Sequence, residues 1–258
     1  MICSIPSKGL FVMERNLKLI IEYQGTRYHG WQIQPNGISI EEKIEEILER
    51  LTGQRPKVIG AGRTDAGVHA EGQTAHFKTL SSMDCKALQR GMNALLPNDI
   101  VVLNVEEAER DFHALFSAKG KTYRYVILNR AHPSVFERDR CWHISRRLDL
   151  DAMREGAMPL IGRHDFSAFQ ASGCCARNPV REIRGIEIHA KDGWISITVS
   201  ANGFLKYMVR NIVGTLVEVG RGKMAPMDVQ RILDSRDRTQ AGPTAPAQGL
   251  FLVFVDYG

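Results

Sequence analysis

The sequence predicts a mixed α/β protein of the α+β type, built on largely antiparallel sheets flanked by helices. The apolar period switches repeatedly between two and about 3.6 along the chain, so strand and helix segments alternate. Several strand segments are joined by short hairpin-like links, which favour antiparallel neighbours over helix-bridged parallel ones. The chain's 258 residues, 43% of them hydrophobic, suffice to bury the core of one large domain or two small ones.

Residues 1–15 lack periodicity and Met13 offers a second start, so they are expected to be a disordered extension. Order is expected from about Leu17, where Leu17, Leu19, Ile21 and Tyr23 alternate as a strand that ends at Gln24-Gly25-Thr26. Ser39 and Glu42 form a capping box ahead of Ile40, Ile44, Ile47, Leu48 and Leu51, which predicts a helix stopped by Gly53. Val58-Ile59 enters a glycine-rich loop, and Thr74 to Thr79 alternate as the strand beyond it. A second helix runs from about Asp84 to Pro97, before a strand from Ile100 to Val105. Lys121 to Leu128 read as a strand with Tyr123, Tyr125 and Ile127 on one face. A helix near Asp149 to Leu160, a loop containing Gly173-Cys174-Cys175, and strands Arg181 to His189 and Trp194 to Ser200 follow. Leu205, Met208, Val209, Ile212, Val213, Leu216 and Val217 form an apolar helical stripe with Gly220 as its C-cap. A short helix starts at Pro226, and residues 241–247 form an extended linker into a last strand, Leu250 to Val255.

Composition narrows the class. No apolar run approaches the roughly 18 residues of a membrane span, so no membrane association is expected. Five scattered cysteines, an odd number, fit a reducing cytoplasm better than a disulfide framework. Cys174 and Cys175 lack the Cys-x-x-Cys or histidine spacing that completes a zinc site, so no metal is expected. The formal charge of +5 leans mildly toward a polyanionic partner.

The densest chemical signal is Gly60-Ala61-Gly62-Arg63-Thr64-Asp65-Ala66-Gly67-Val68-His69-Ala70. Glycines at this density mark a tight irregular loop, and the only acid it presents is Asp65. Neither a phosphate cradle ending in Gly-Lys-Ser/Thr nor a Gly-x-Gly-x-x-Gly fingerprint is present. A turn capped by its aspartate is the plain structural alternative.

This loop resembles the active-site loop of the tRNA pseudouridine synthase A family. Tyr28-His29-Gly30-Trp31-Gln32, Asp111-Phe112-His113-Ala114, Lys121-Thr122-Tyr123-Arg124-Tyr125 and Met208-Val209-Arg210-Asn211-Ile212-Val213-Gly214 follow in that family's order and span most of the chain. The resemblance implies two α/β halves with sheets joined edge to edge around a catalytic cleft: residues 16–115 carrying the aspartate loop, and residues 116–258. It implies isomerisation of uridine to pseudouridine at tRNA positions 38 to 40, with Asp65 as nucleophile or base at the sugar. It assigns Tyr123 to stacking on the uracil and places Arg210 beside Asp65; Arg63, two residues before Asp65, would point the same way on an extended stretch and face the RNA. tRNA is the implied partner, a homodimer the implied assembly, and no small-molecule cofactor is required, because the reaction is redox-neutral. From spacing alone Tyr123 and Tyr125 suit a core equally, and Arg210 at the edge of its helical stripe suits a side chain reaching for water. Leu115 and Ile33 stand where many family members carry arginine, which removes any phosphate contact made there. The rival readings are a non-catalytic tRNA-binding protein on the same fold and a nucleoside glycosidase. The second would want another carboxylate beside Asp65.

Overall fold

A computed structural model of the chain describes residues 13–258 apart from Ser172, Cys174, Cys175 and Arg177. The reading of residues 1–12 as disordered and of the adjacent cysteines as metal-free therefore lies outside the described residues. Order begins slightly earlier than expected, because Arg15 is already in the first strand.

The elements run β1 (Arg15–Tyr23), α1 (Ile40–Thr52), β2 (Ile59–Gly60), β3 (His69–Thr79), α2 (Cys85–Leu95) and β4 (Ile100–Glu107). Then come β5 (Gly120–Asn129), β6 (Trp142–Ile144), α3 (Leu150–Ala157), β7 (Gly162–Asp165), β8 (Val180–Lys191), β9 (Trp194–Ala201), α4 (Met208–Gly220), α5 (Asp228–Ser235) and β10 (Leu250–Asp256). Among the described residues the strands form one mixed sheet in the order β4-β1-β3-β10-β5-β9-β8-β7, with β2 beside β3 and β6 beside β5. Neighbours are antiparallel except β3–β10 and β5–β6.

The joint at the middle of this sheet is short. β10 arrives from the end of the chain and pairs with β3 through Phe251↔His69 and Leu252↔Ala70, then along β5 on its other side. His69 reinforces the joint: Gly25 N donates to its Nδ1 at 3.0 Å, which leaves Nε2 protonated to donate to Gln248 O at 3.1 Å. Burial lowers the His69 pKa, so the neutral ring that these two bonds need is the favoured form.

Local chemistry explains the helix ends. Ser39 and Glu42 make both bonds of the capping box, and Gly53 closes α1 at φ +74°. Asp84 caps α2 by accepting from Lys86 N and Ala87 N. Three details depart from the sequence reading. Gly220 is still helical and packs against Met153, while Gly222, at φ +71°, takes the left-handed turn. α4 starts at Met208 and not Leu205, because Tyr207 interrupts it at φ +63°. α5 starts at Asp228, two residues beyond Pro226.

α4 is buried nearly all round and not along one stripe. Its polar residues are satisfied internally: Asn211 Nδ2 donates to Phe169 O at 2.7 Å and Thr215 Oγ1 to Asn211 O at 2.8 Å. The linker of residues 241–247 lies directly on it. A Cβ on Gly214 would overlap the carbonyl of Pro243, and one on Gly242 would lie 2.7 Å from Thr215 Cα. Glycine at both positions allows the two backbones to touch.

Candidate active site

The glycine loop connects β2 to β3 and is fixed from beneath. Ala61 N donates to Thr74 O at 2.7 Å and Gln73 Nε2 to Gly62 O at 2.8 Å. Trp31 N reaches Thr64 O at 3.1 Å, and the Tyr23 and Thr64 hydroxyls lie 2.7 Å apart. Val68 N then donates to Asp65 O at 3.1 Å, closing a four-residue turn with Gly67 third at φ +77°. Such a turn demands a left-handed residue at that position. Gly30, at φ +91°, lies so close under the loop that a Cβ would come 2.5 Å from Thr64 O. These constraints turn Thr64 inward and Arg63 and Asp65 outward into a common cleft.

Arg210 meets Asp65 across this cleft from the first turn of α4. Its Nη1 lies 3.4 Å from Asp65 Oδ2, at the long end of a hydrogen bond, with the side chains 14% and 27% exposed respectively. Arg210 Nε donates to Ala245 O at 2.8 Å, and Ala245 N returns a bond to Arg210 O at 3.0 Å. The linker thereby aims the guanidinium at the acid, away from the water that a helix-edge arginine ordinarily seeks. The Tyr207 ring lies 4.6 Å from the guanidinium carbon. A left-handed φ on a bulky residue is costly, and here it turns that ring across Arg210.

Burial pushes the Asp65 carboxyl above the usual aspartate pKa, while Arg210, and more weakly Lys206, pull it back. The outcome is a half-buried carboxylate with one defined cationic partner. No second acid accompanies it: Glu41, the other carboxylate lining the cleft, accepts from Gln32 Nε2 at 2.7 Å and Ile33 N at 2.9 Å.

The two tyrosines of β5 separate clearly. Tyr125 is fully buried, donates to Pro246 O at 2.7 Å and packs under Gly249, so its ring supports the linker. Tyr123, 7% exposed, lines the cleft with Phe204 edge-on at 5.0 Å. Burial, assisted by Tyr23 and Asp65, raises its phenol pKa and keeps it protonated. Arg63 is exposed at the rim, where its Nε donates to Gln32 Oε1 at 3.1 Å. Leu115 lines the mouth and Ile33 is exposed, so neither supplies a cation.

The cleft encloses about 960 Å³, the upper part of the range for small-ligand pockets, and has room for an extruded nucleotide. Sequence reasoning did not single out Lys121, Lys206, Tyr207 or Leu250, all of which line it. Period-two spacing from Tyr123 could have found Lys121; the others depend on tertiary approach. Among the described residues no group of three histidine, cysteine or acidic side chains suits a metal ion. No helix there is long and apolar enough to cross a membrane.

Comparison with known proteins agrees with this geometry. A family model described as tRNA pseudouridine synthase matches residues 19–117 and 157–258. The chain is 50% identical over 244 residues to the tRNA pseudouridine synthase A of Ruminiclostridium cellulolyticum, covering 94% of this chain and 100% of the relative. Over 242 residues it is 49% identical to the Myxococcus xanthus protein of the same name, covering 93% and 91%. The Acetivibrio thermocellus tRNA pseudouridine synthase A is 47% identical over 243 residues, at 94% and 100% coverage. With matches of this extent over both sides of the cleft, the chain belongs to the tRNA pseudouridine synthase family, isomerases that make pseudouridine.

Proposed function

We propose that this enzyme isomerises uridine in the anticodon arm of tRNA, at positions 38 to 40, with Asp65 as the nucleophile. The observation that carries the chemistry is Asp65 itself: a half-buried carboxylate, fixed on a glycine turn, paired with Arg210 and without a second acid. The N1–C1′ bond of the uridine breaks, the uracil turns while held, C5 joins C1′, the C5 hydrogen leaves as a proton and N1 gains one. Asp65 attacks C1′ as the N1–C1′ bond breaks, and the bond it forms is broken in turn when C5 joins C1′. Arg210 keeps it ionised and directed. Tyr123 offers a flat face for the extruded uracil, and the closed floor of the cleft retains the base while it turns. Arg63 at the rim is placed to meet the RNA backbone. The anticodon-arm position follows from the resemblance of the motifs to those of the A-type enzymes.

A homodimer and a cytoplasmic location belong to the same reading. Cys85 and Cys141 are free thiols, in keeping with a reducing compartment. Light scattering of the purified protein tests the dimer. Hydrogen release from uracil C5 of purified tRNA, with mapping of the modified positions, tests the activity. Binding without release would support a non-catalytic tRNA-binding protein instead.

A further inference from the structure

Of the cleft's cations, Lys121 is the one with neither an acid nor a hydrogen-bond acceptor beside it among the described residues; Lys57, which makes no hydrogen bond there either, lies close enough to Glu41 to act on that carboxyl. Arg210 is engaged by Asp65 and Ala245, Arg63 by Gln32, and Lys206 lies 5.4 Å from the centre of the Tyr207 ring. Lys121 on β5 makes no ion pair and no hydrogen bond among the described residues. Every Asp and Glu of the chain lies among those residues, so no carboxylate elsewhere can serve it. The charged group that faces it is Arg181, a second cation, and burial together with that neighbour lowers its pKa. A desolvated ammonium of this kind is unfavourable unless an anion meets it.

The position of Lys121 says where that anion would sit. Its side chain runs over Gly62: a Cβ there would be 3.3 Å from Cε and 3.7 Å from Nζ, so a larger residue would crowd it. Lys121 shares the cleft-facing side of β5 with Tyr123, two residues and about 7 Å along the strand. The charged head therefore lies against the loop that presents Asp65, on the side of β5 that carries Tyr123.

We propose that Lys121 forms a phosphate subsite, its ammonium pairing with the phosphodiester that flanks the target uridine. This rests on the pseudouridine synthase reading above. Lysine suits a phosphate as a compact point charge, and the extruded nucleotide would bring the counter-ion that no side chain of the cleft supplies. The pairing would make extrusion favourable at the site of chemistry, whereas the rim position of Arg63 contacts the RNA before the nucleotide enters.

The test uses Lys121→Gln, Lys121→Met and Lys121→Arg, with C5 hydrogen release followed over tRNA concentration at several salt concentrations and melting temperature measured beside it. The glutamine and methionine variants are expected to melt no lower than the parent, to raise KM about tenfold or more with kcat little changed, and to flatten the salt dependence by close to one phosphate contact. Arginine should recover much of the affinity. Folded variants with parental KM and salt slope would overturn the proposal, as would a fall in kcat alone, which would make Lys121 part of the chemistry. Where glutamine destabilises the fold, methionine, which preserves the apolar stem, decides. Failure of the parent enzyme to release hydrogen would instead sink the activity reading, and direct tRNA binding by the same variants would then judge Lys121.

Discussion

Two cavities of similar size lie on this molecule, and only one looks chemical. The larger, about 1030 Å³, is lined by Arg130, Arg147, Asp149, Asp151, Arg154 and Arg221 among others; the cleft at Asp65 measures about 960 Å³. In the larger groove most of the charges support the fold, and Arg147, which makes no ion pair or hydrogen bond among the described residues, is exposed to water. Arg154 donates to Asp151 at 2.7 Å and to Ile188 O, Arg221 donates to Glu218 at 2.7 Å, and Asp149 caps α3. In the cleft Asp65 is held by a bond at the limit of hydrogen-bond length, and Lys121 faces no acid. Volume does not separate the two; desolvated charge that the fold leaves uncommitted does.

The severest way to break the comparison is Asp65→Asn, which preserves size and hydrogen bonding but removes the charge. Turnover should fall by a factor on the order of 10⁴ or more while tRNA affinity stays close to parental, as single-turnover and filter-binding measurements would show. Retained turnover would place the chemistry elsewhere.

Next in size, Arg210→Lys should cut the single-turnover rate by about 10²-fold with little change in melting temperature, since a lysine lacks the planar fork that spans Asp65 and Ala245. Arg210→Ala should be worse, and its pH profile carries a sign. Burial already raises the Asp65 pKa and Arg210 holds that rise back, so removing the arginine raises it further. In the proposed mechanism the ionised form does the chemistry, so activity should be lost as pH falls through this pKa. The acid limb of the rate profile should therefore move to higher pH; a limb that stays put would separate Arg210 from the acid.

Tyr123→Ala should cost roughly 1 to 3 kcal/mol in handling the extruded base, with Tyr123→Phe costing much less. Normal turnover in the alanine variant would return Tyr123 to the core beside Tyr125. The smallest expected effect sharpens the contrast from the other side: Arg154→Gln in the larger groove should leave kcat and KM unchanged and lower stability by less than about 1 kcal/mol. A rate loss there would mean that the groove also meets the RNA.

What the sequence disclosed depended on whether the cause was local. The capping box at Ser39, the stop at Gly53 and the alternation of β1 are encoded in near neighbours, and so is the turn around Asp65, whose glycines announce it. Strands β6 and β7, three and four residues long, carry too few residues for a period to show. β3 begins five residues earlier than its alternation suggested, because residues on both of its faces are buried. The reciprocal bonds between Arg210 and Ala245 join residues 35 apart, and the left-handed Tyr207 has no signal in its residue type. Spacing alone therefore makes Arg210 an ordinary helix-edge cation, and only the family resemblance placed it beside Asp65.

The central place of β10 also dictates when the enzyme can exist. A ribosome delivers this strand after every sheet strand on either side of it has emerged. Until residues 250–256 arrive, β3 and β5 have edges covered only in part, by the short β2 and β6, and nothing in the sheet joins one to the other. Asp65, carried ahead of β3, and Tyr123, carried on β5, take up their common cleft only when that gap closes. A nascent chain stopped before β10 would thus hold the acid and the tyrosine without a competent site, and catalysis would report that translation had passed residue 256.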